Sequence, residues 1–165
     1  MHRQSCCFTG HRAISNADKA ALEPALRQEI CRLYESGVTE FYAGGARGFD
    51  MLAEKIVLEL REELPIRLHL MLPCPQQAEQ WPSYLRVQYD SILKQADSVW
   101  YAAEEYDASC MRRRNDAMVE ASAYCICFLQ RDRGGTAYTV KRARQAGCTV
   151  IHLLTVEPVQ MTLNE

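Results

Sequence analysis

The sequence predicts an α/β fold with a mainly parallel sheet of about six strands and helices on both faces. Short apolar runs, rich in β-branched and aromatic residues, alternate with longer segments of helical periodicity. Successive strands are separated by roughly 25–30 residues, which is typical of right-handed βαβ units. The 165 residues are expected to form one domain, and no role is predicted for the tail after about residue 155.

The first unit runs from the strand Ser5–Thr9 to a helix between about Asp18 and Ser36. Four apolar residues of this helix recur at intervals of three and four, which predicts one buried face: Leu22, Leu26, Ile30 and Leu33. Gly37 fits the left-handed position that ends a helix. The β-branched and aromatic run Thr39–Ala43 then predicts the second strand.

The middle of the chain repeats the pattern. An apolar-periodic run at Met51–Leu60 predicts a helix, and Ile66–Leu72 predicts a strand that ends at Pro73. A polar loop leads to a helix at Ser83–Gln95, and Ser98–Ala102 is the fourth strand. The position of this fourth strand in the sheet stays open at this stage.

The last part of the chain contributes the remaining elements. Cys110–Ser122 predicts a helix, followed by the apolar strand Tyr124–Leu129. A helix at Ala137–Ala146 precedes the sixth strand, Thr149–Leu154. The carboxyl ends of parallel strands form one edge of such a sheet, and ligands bind there near the point where the strand order reverses.

A first glycine-rich turn follows the second strand. Gly44, Gly45 and Gly48 permit positive φ and close approach of the backbone to a ligand. Arg47 adds a planar cation suited to phosphate or carboxylate. Asp50 is placed to cap the next helix or to accept from a ligand hydroxyl, and it is the candidate catalytic residue. This turn therefore predicts an anion-binding loop at a helix N-terminus.

A second turn of the same kind follows the fifth strand. It carries Gly134, Gly135 and Thr136, again directly before a helix. Neither turn has the spacing of a dinucleotide fingerprint or a P-loop. Two such turns in one chain favour a phosphorylated or otherwise anionic ligand.

Charge and composition restrict the partners. The net charge of −2 and the lack of a stripe of alternating basic and aromatic residues argue against nucleic acid as a partner. No apolar run approaches the length of a membrane span, and residues 1–12 do not resemble a signal peptide. We therefore expect a cytoplasmic protein without a membrane partner; homo-oligomerisation stays open.

The eight cysteines are interpreted as reduced thiols. They form no C-x-x-C pair and no Cys/His cluster with the spacing of a zinc site. Most fall in expected strands and are interpreted as small buried residues, whereas Cys74 and Cys110 fall in expected loops and are the candidates for exposure. No metal and no cofactor are predicted.

Four ordered motifs carry a resemblance to a known family. They are Thr9-Gly10-His11-Arg12, Gly44-Gly45-Ala46-Arg47-Gly48-Phe49-Asp50, Arg114-Asn115-Asp116-Ala117-Met118 and Gly134-Gly135-Thr136. With these motifs the chain resembles the SLOG superfamily, the Rossmann-like group that unites the Smf/DprA and LOG proteins, and especially its YpsA/YspA-like branch. The resemblance implies a nucleotide-related ligand at the strand ends, with Arg114 and Asn115 facing the pocket.

One departure from the LOG enzymes bears on catalysis. These relatives cleave the N-glycosidic bond of nucleotide monophosphates and carry a glutamate three residues after the threonine of the glycine turn. The corresponding residue here is Thr139. A hydroxyl cannot accept a proton as a carboxylate does at neutral pH, and Asp50 or Glu120 could substitute only if the pocket brings one of them to the glycosidic bond.

Three functions follow from this reasoning. The leading one is a sensor that binds a nucleotide or a nucleotide-derived molecule, such as an ADP-ribose-like one, with Trp81 and Tyr84 as candidates for base stacking. The first alternative is a nucleotide N-glycosidase that uses a substituted acid. The second alternative is single-stranded DNA binding, as in the DprA-like relatives, through the arginines at positions 112–114.

Overall fold

Six strands and five helices alternate along residues 4–154, the part of the chain that the computed structural model describes. The strands are β1 (Ser5–Gly10), β2 (Glu40–Ala43), β3 (Arg67–Leu72), β4 (Ser98–Tyr101), β5 (Tyr124–Phe128) and β6 (Thr149–His152). The helices are α1 (Asn16–Glu35), α2 (Phe49–Leu60), α3 (Ser83–Gln95), α4 (Cys110–Glu120) and α5 (Gly135–Gln145). The tail after residue 155 lies outside this range.

The strands form one sheet in the order β4-β3-β2-β1-β5-β6, and every neighbouring pair is parallel. This arrangement is an α/β Rossmann-like fold and confirms the predicted fold class. The chain adds strands from β1 to β4 in one direction and then returns to place β5 on the other side of β1. The strand order therefore reverses between β1 and β5, where such sheets bind ligands. The fourth strand, whose place the sequence left open, lies at one edge.

Two hydrophobic cores cover the two faces of the sheet. Alternate residues of β1 point to opposite faces, so Cys6 and Phe8 belong to one core and Cys7 to the other. The larger core packs α1, α2 and α3 against the sheet, and Phe8 stacks on Phe41 at 5.9 Å between ring centroids. The smaller core joins α4 and α5, for example through Met118 and Val140.

Glycines set the starts of two helices. Gly48 precedes α2 with φ of 74°, and Gly134 precedes α5 with φ of 95°. Because each glycine makes the turn by itself, both helices begin two residues earlier than the apolar periodicity predicts. A side chain at position 48 is also excluded sterically, since a Cβ on Gly48 would collide with the backbone carbonyl of Arg12.

The thiols are more buried than expected. Cys74 and Cys110, the candidates for exposure, are 2% and 0% exposed, so that prediction is wrong. The loop holding Cys74 folds against the protein, and Cys110 begins α4 with its side chain inside. Cys31 on α1 is partly exposed. Within residues 4–154, no helix is long and apolar enough to cross a membrane.

Candidate functional site

A cleft of about 440 Å³ lies where the strand order reverses, beyond the carboxyl ends of β1 and β5. We call it the switch-point cleft. Its lining residues come from both strand ends, α2, α4 and the start of α5: Phe8, Thr9, Gly10, His11, Arg12, Ala13, Ala46, Asp50, Met111, Arg114, Asn115, Met118, Arg131, Arg133, Gly134, Gly135, Thr136 and Thr139.

A second, larger cleft of about 780 Å³ adjoins the first. We call it the outer cleft. It lies between α1, α2 and α3 and the loops around them, and its lining comprises Arg12, Ala13, Ile14, Asn16, Lys19, Ala46, Arg47, Gly48, Met51, Leu52, Lys55, Gln77, Trp81, Tyr84, Leu85, Gln88, Tyr106 and Met111.

Most of the predicted site residues line the switch-point cleft together. They are Thr9, Gly10, His11, Arg12, Asp50, Arg114, Asn115, Gly134, Gly135 and Thr136. Arg47 and Gly48 line the outer cleft instead. Gly44 and Gly45 are buried and line neither cleft. The first glycine turn is therefore divided between two surroundings, and its glycines do not share one ligand site.

The amides of the first glycine turn are occupied by the protein's own carboxylates. The N–H of Gly45 donates to Glu54 Oε2 at 2.9 Å, and the N–H of Ala46 donates to Asp50 Oδ2 at 3.3 Å. Both acceptors lie on α2, the helix that the turn begins. The amides of Gly45 and Ala46 are therefore not free to bind a phosphate. The expectation that Gly44 and Gly45 contact an anionic ligand does not fit this geometry.

Gly44 has a different role, which is to leave room for a buried guanidinium. A Cβ on Gly44 would collide with Arg114 Nη1 and lie 3.0 Å from Asp50 Oδ2. Arg114 Nη1 donates to the carbonyls of Gly44 and, at 3.3 Å, Met71. Its Nε donates to Asn115 Oδ1 at 2.7 Å. Arg114 is only 4% exposed, so it fixes α4 against the ends of β2 and β3.

Two buried carboxyl groups lie near this cation. Burial raises the pKa of Asp50 to about 6, although Arg114, the Ala46 amide and Arg12 each act to lower it. Burial and the neighbouring Asp50 raise the pKa of Glu54 well above its usual range. Asp50 lines the switch-point cleft and Glu54 does not. The cleft therefore contains a carboxyl group that titrates near neutral pH, a property common in catalytic acids and bases.

His11 joins the loops that follow β1 and β5. Its Nε2 accepts a hydrogen bond of 2.9 Å from the N–H of Gln130, and its ring packs edge-on against Phe128. A ring nitrogen that accepts is unprotonated, and burial together with Arg131 lowers the pKa of His11. His11 is thus a neutral residue that holds the two sides of the switch point together.

The second glycine turn is open to the cleft. No side chain caps α5 at Gly134, and a Cβ added to Gly135 would meet nothing within 4 Å. Arg131 and Arg133 precede this turn and line the same cleft. Sequence reasoning missed these two arginines, although their position directly before the glycines could have indicated them. Unpaired helix N-terminal amides beside arginines form a local environment for an anion.

Nothing in the described part of the chain resembles a metal site, since no group of three His, Cys, Asp or Glu residues is placed to hold an ion.

A comparison with protein families decides the relationship. The profile of the YspA SLOG family matches residues 6–158. The chain belongs to the YspA SLOG family. This confirms the resemblance seen in the four sequence motifs.

Curated relatives of this SLOG protein include UPF0398 proteins of bacilli. One from Halalkalibacterium halodurans is 30% identical over 129 residues, which are 76% of this chain and 66% of the relative. Another from Oceanobacillus iheyensis is 25% identical over 123 residues, covering 73% of this chain and 65% of the relative. The chain thus spans just under two thirds of the length of these relatives.

Solved structures with the same fold include two DNA processing proteins A. The Streptococcus pneumoniae protein superposes with a TM-score of 0.68 at 19% identity, over 90% of this chain and 49% of its own. The Helicobacter pylori protein gives a TM-score of 0.68 at 16% identity, over 99% of this chain and 73% of its own. At such identities the likeness shows the fold.

The prediction against nucleic acid as a partner is wrong. The Helicobacter pylori structure is described as having a single-stranded DNA binding mode, so a protein with this fold binds nucleic acid. The physical reason for the error is that net charge hides local charge. The fold brings Arg12, Arg131 and Arg133 into one cleft, and the outer cleft brings basic and aromatic residues together from distant parts of the sequence.

The titration of Asp50 makes a prediction about stability. Its folded pKa of about 6 exceeds its ordinary value of 3.8, so the folded protein binds more protons between these values. Ionisation of Asp50 therefore lowers the free energy of unfolding. This loss is absent at low pH and complete above about pH 7. Relative to the unsubstituted protein, we expect Asp50→Asn to gain about 2 kcal/mol in free energy of unfolding as the pH rises from about 4 to about 7.

Urea denaturation of both proteins across this pH range measures the difference. Glu54 adds to this difference with the same sign, because the charge of Asp50 also raises the pKa of Glu54. A difference that stays constant with pH, or that changes in the opposite direction, would contradict the raised pKa.

Proposed function

We propose that this SLOG protein binds a nucleotide or a nucleotide-derived ligand in the switch-point cleft and acts as a sensor. The observation that carries the proposal is the uncapped start of α5 at Gly134, which opens into a cleft lined by arginines. A phosphate group placed there would accept from the amides of Gly135 and Thr136 and would lie in the positive end of the helix dipole.

The charges of the cleft support an anionic ligand. Arg12, Arg131 and Arg133 are exposed and line the cleft, whereas Arg114 lies buried beneath it. Asp50 is its one acidic lining residue among positions 4–154. Guanidinium groups suit phosphate because they donate in a planar fork. The single carboxylate is suited to a neutral part of the ligand, such as a ribose hydroxyl.

A binding function fits the acids better than the hydrolysis of the LOG enzymes. Thr139, where those enzymes carry glutamate, donates its hydroxyl to the Gly135 carbonyl at 2.9 Å. Glu120 lies on the outer side of α4, 3.5 Å from Arg142, and does not line the cleft. Neither residue is placed to assist cleavage of a glycosidic bond.

A charge placed at the start of α5 tests the proposal. Gly135→Asp adds a side chain where there is space, and an acid in the first turn favours a helix. We expect the fold to be retained and the affinity for AMP, measured by calorimetry, to fall by at least about tenfold, because the new carboxylate repels the phosphate.

The matched control is Lys94→Gln, which changes the net charge by the same amount on α3 and lines neither cleft. It should bind AMP as the unsubstituted protein does. Equal affinity of Gly135→Asp and the control would contradict a phosphate site at α5. A panel that includes other nucleotides and single-stranded oligonucleotides covers both ligand classes.

A second candidate function is nucleotide N-glycosidase activity with Asp50 as the acid–base group. The observation in its favour is the pKa of Asp50, raised to about 6 by burial in a cleft. In such a reaction the C1′–N bond breaks with its electron pair on the base. Water then adds to C1′ and gives a proton to Asp50, which returns it to the departing base.

This candidate predicts that nucleoside monophosphates slowly release free base in the presence of the protein. Chromatography measures the released base. Asp50→Asn should abolish the release and retain affinity for AMP, because the phosphate contacts are unchanged. Release that survives Asp50→Asn would place the acid elsewhere. Binding without release from the unsubstituted protein would exclude the enzyme and leave the sensor.

A further inference from the structure

The outer cleft has a charge that the composition does not suggest. Four cationic side chains line it: Arg12, Lys19, Arg47 and Lys55. No Asp or Glu within residues 4–154 lines it, although the chain as a whole has a net charge of −2. Lys19 and Lys55 come from different helices and are close enough to affect each other electrostatically. A cleft lined by cations and by no acidic side chain favours an anionic ligand.

The same cleft exposes flat aromatic rings. Tyr84 is 65% exposed and Tyr106 is 68% exposed, on different sides of the cleft lining. Trp81 also lines the cleft and is held edge-on against Tyr89, with 5.3 Å between ring centroids. Large aromatic residues are normally covered in a folded chain, and bases stack on such rings. Cations and aromatic rings in one cleft are the groups that recognise a nucleoside with its phosphate.

The two clefts adjoin each other. Arg12, Ala13, Ala46 and Met111 line both of them. Each cleft alone is within the size range of small-molecule sites, which is about 300–1,000 Å³. Together they exceed the need of one mononucleotide. Arg12 lies at the junction, where a phosphate group that joins two halves of a ligand would pass.

We propose that the outer cleft binds the second nucleoside of a dinucleotide whose first phosphate lies at α5. The ligand class is two nucleosides joined through phosphates, and this inference rests on the proposed function of the switch-point cleft. The linking phosphates contact Arg12, the second base stacks on Tyr84, and Lys19 and Lys55 neutralise the remaining negative charge.

The test compares one ligand unit with two. AMP, diadenosine diphosphate and the phosphodiester-linked dinucleotide pApA are titrated into the full chain by calorimetry. We expect at least one dinucleotide to bind about tenfold more tightly than AMP, since a stacked base adds binding energy of that order. The two dinucleotides distinguish a pyrophosphate link from a phosphodiester link.

A substitution in the outer cleft separates this inference from the proposed function. Tyr84→Leu removes a stacking ring from an exposed position and should weaken the dinucleotide by about tenfold while AMP affinity stays unchanged. Val87→Ala, at an equally exposed position on α3 outside both clefts, is the control and should change neither affinity. Unchanged AMP binding also reports that each variant is folded.

Three results would overturn the inference. Equal affinity for AMP and both dinucleotides, unaffected by Tyr84→Leu, would refute the second nucleoside and leave the proposed function intact. Affinity for oligothymidylates that keeps increasing beyond two nucleotides would identify a polynucleotide path instead. Binding of neither AMP nor any dinucleotide would refute the proposed function as well.

Discussion

The position of the buried guanidinium of Arg114 is the constraint on which the site depends. Its hydrogen bonds to the carbonyls of Gly44 and Met71 hold α4 against the ends of β2 and β3. Taking a cation out of water is costly unless partners compensate it, and the nearby Asp50 supplies opposite charge. The carboxyl groups of Asp50 and Glu54 in turn bind amides of the first glycine turn. The amides of Gly45 and Ala46 are thereby already paired around one buried charge.

The two glycine turns look alike in sequence and differ in their donors. The amides of Gly45 and Ala46 donate to Glu54 and Asp50, which both lie on α2. Neither α2 nor α5 has a side-chain cap, but the turn at Gly134 follows Arg131 and Arg133, which line the switch-point cleft. The contacts of the first turn thus hold it against α2 and Arg114, and the second turn is the proposed anion site. Under the proposed function this difference would give the ligand one orientation, with its phosphate at α5 and its remaining parts toward Asp50 and the outer cleft.

The sequence was sufficient for the fold class and for most of the strand and helix bounds, because apolar periodicity and glycine punctuation are local signals. From the sequence, residues such as Thr9, Asp50 and Arg114 were also predicted to lie at one edge of the sheet. The carboxyl ends of parallel strands form that edge, and the family resemblance adds Arg114 to it. It could not show that Glu54 would occupy the Gly45 amide, because that depends on how α2 packs. The outer cleft was equally hidden: Lys19, Lys55 and Tyr106 are distant in sequence, and only the packing of the helices brings them together.

An amide-resolved titration tests this account most directly. In two-dimensional ¹H–¹⁵N NMR spectra, AMP should shift the amide signals of Gly135 and Thr136 strongly, because these N–H groups would gain an acceptor. The amides of Gly45 and Ala46 should move little, since Glu54 and Asp50 already accept from them. Large shifts at Gly45 and Ala46, with none at Gly135 and Thr136, would show that the wrong glycine turn has been assigned to the ligand.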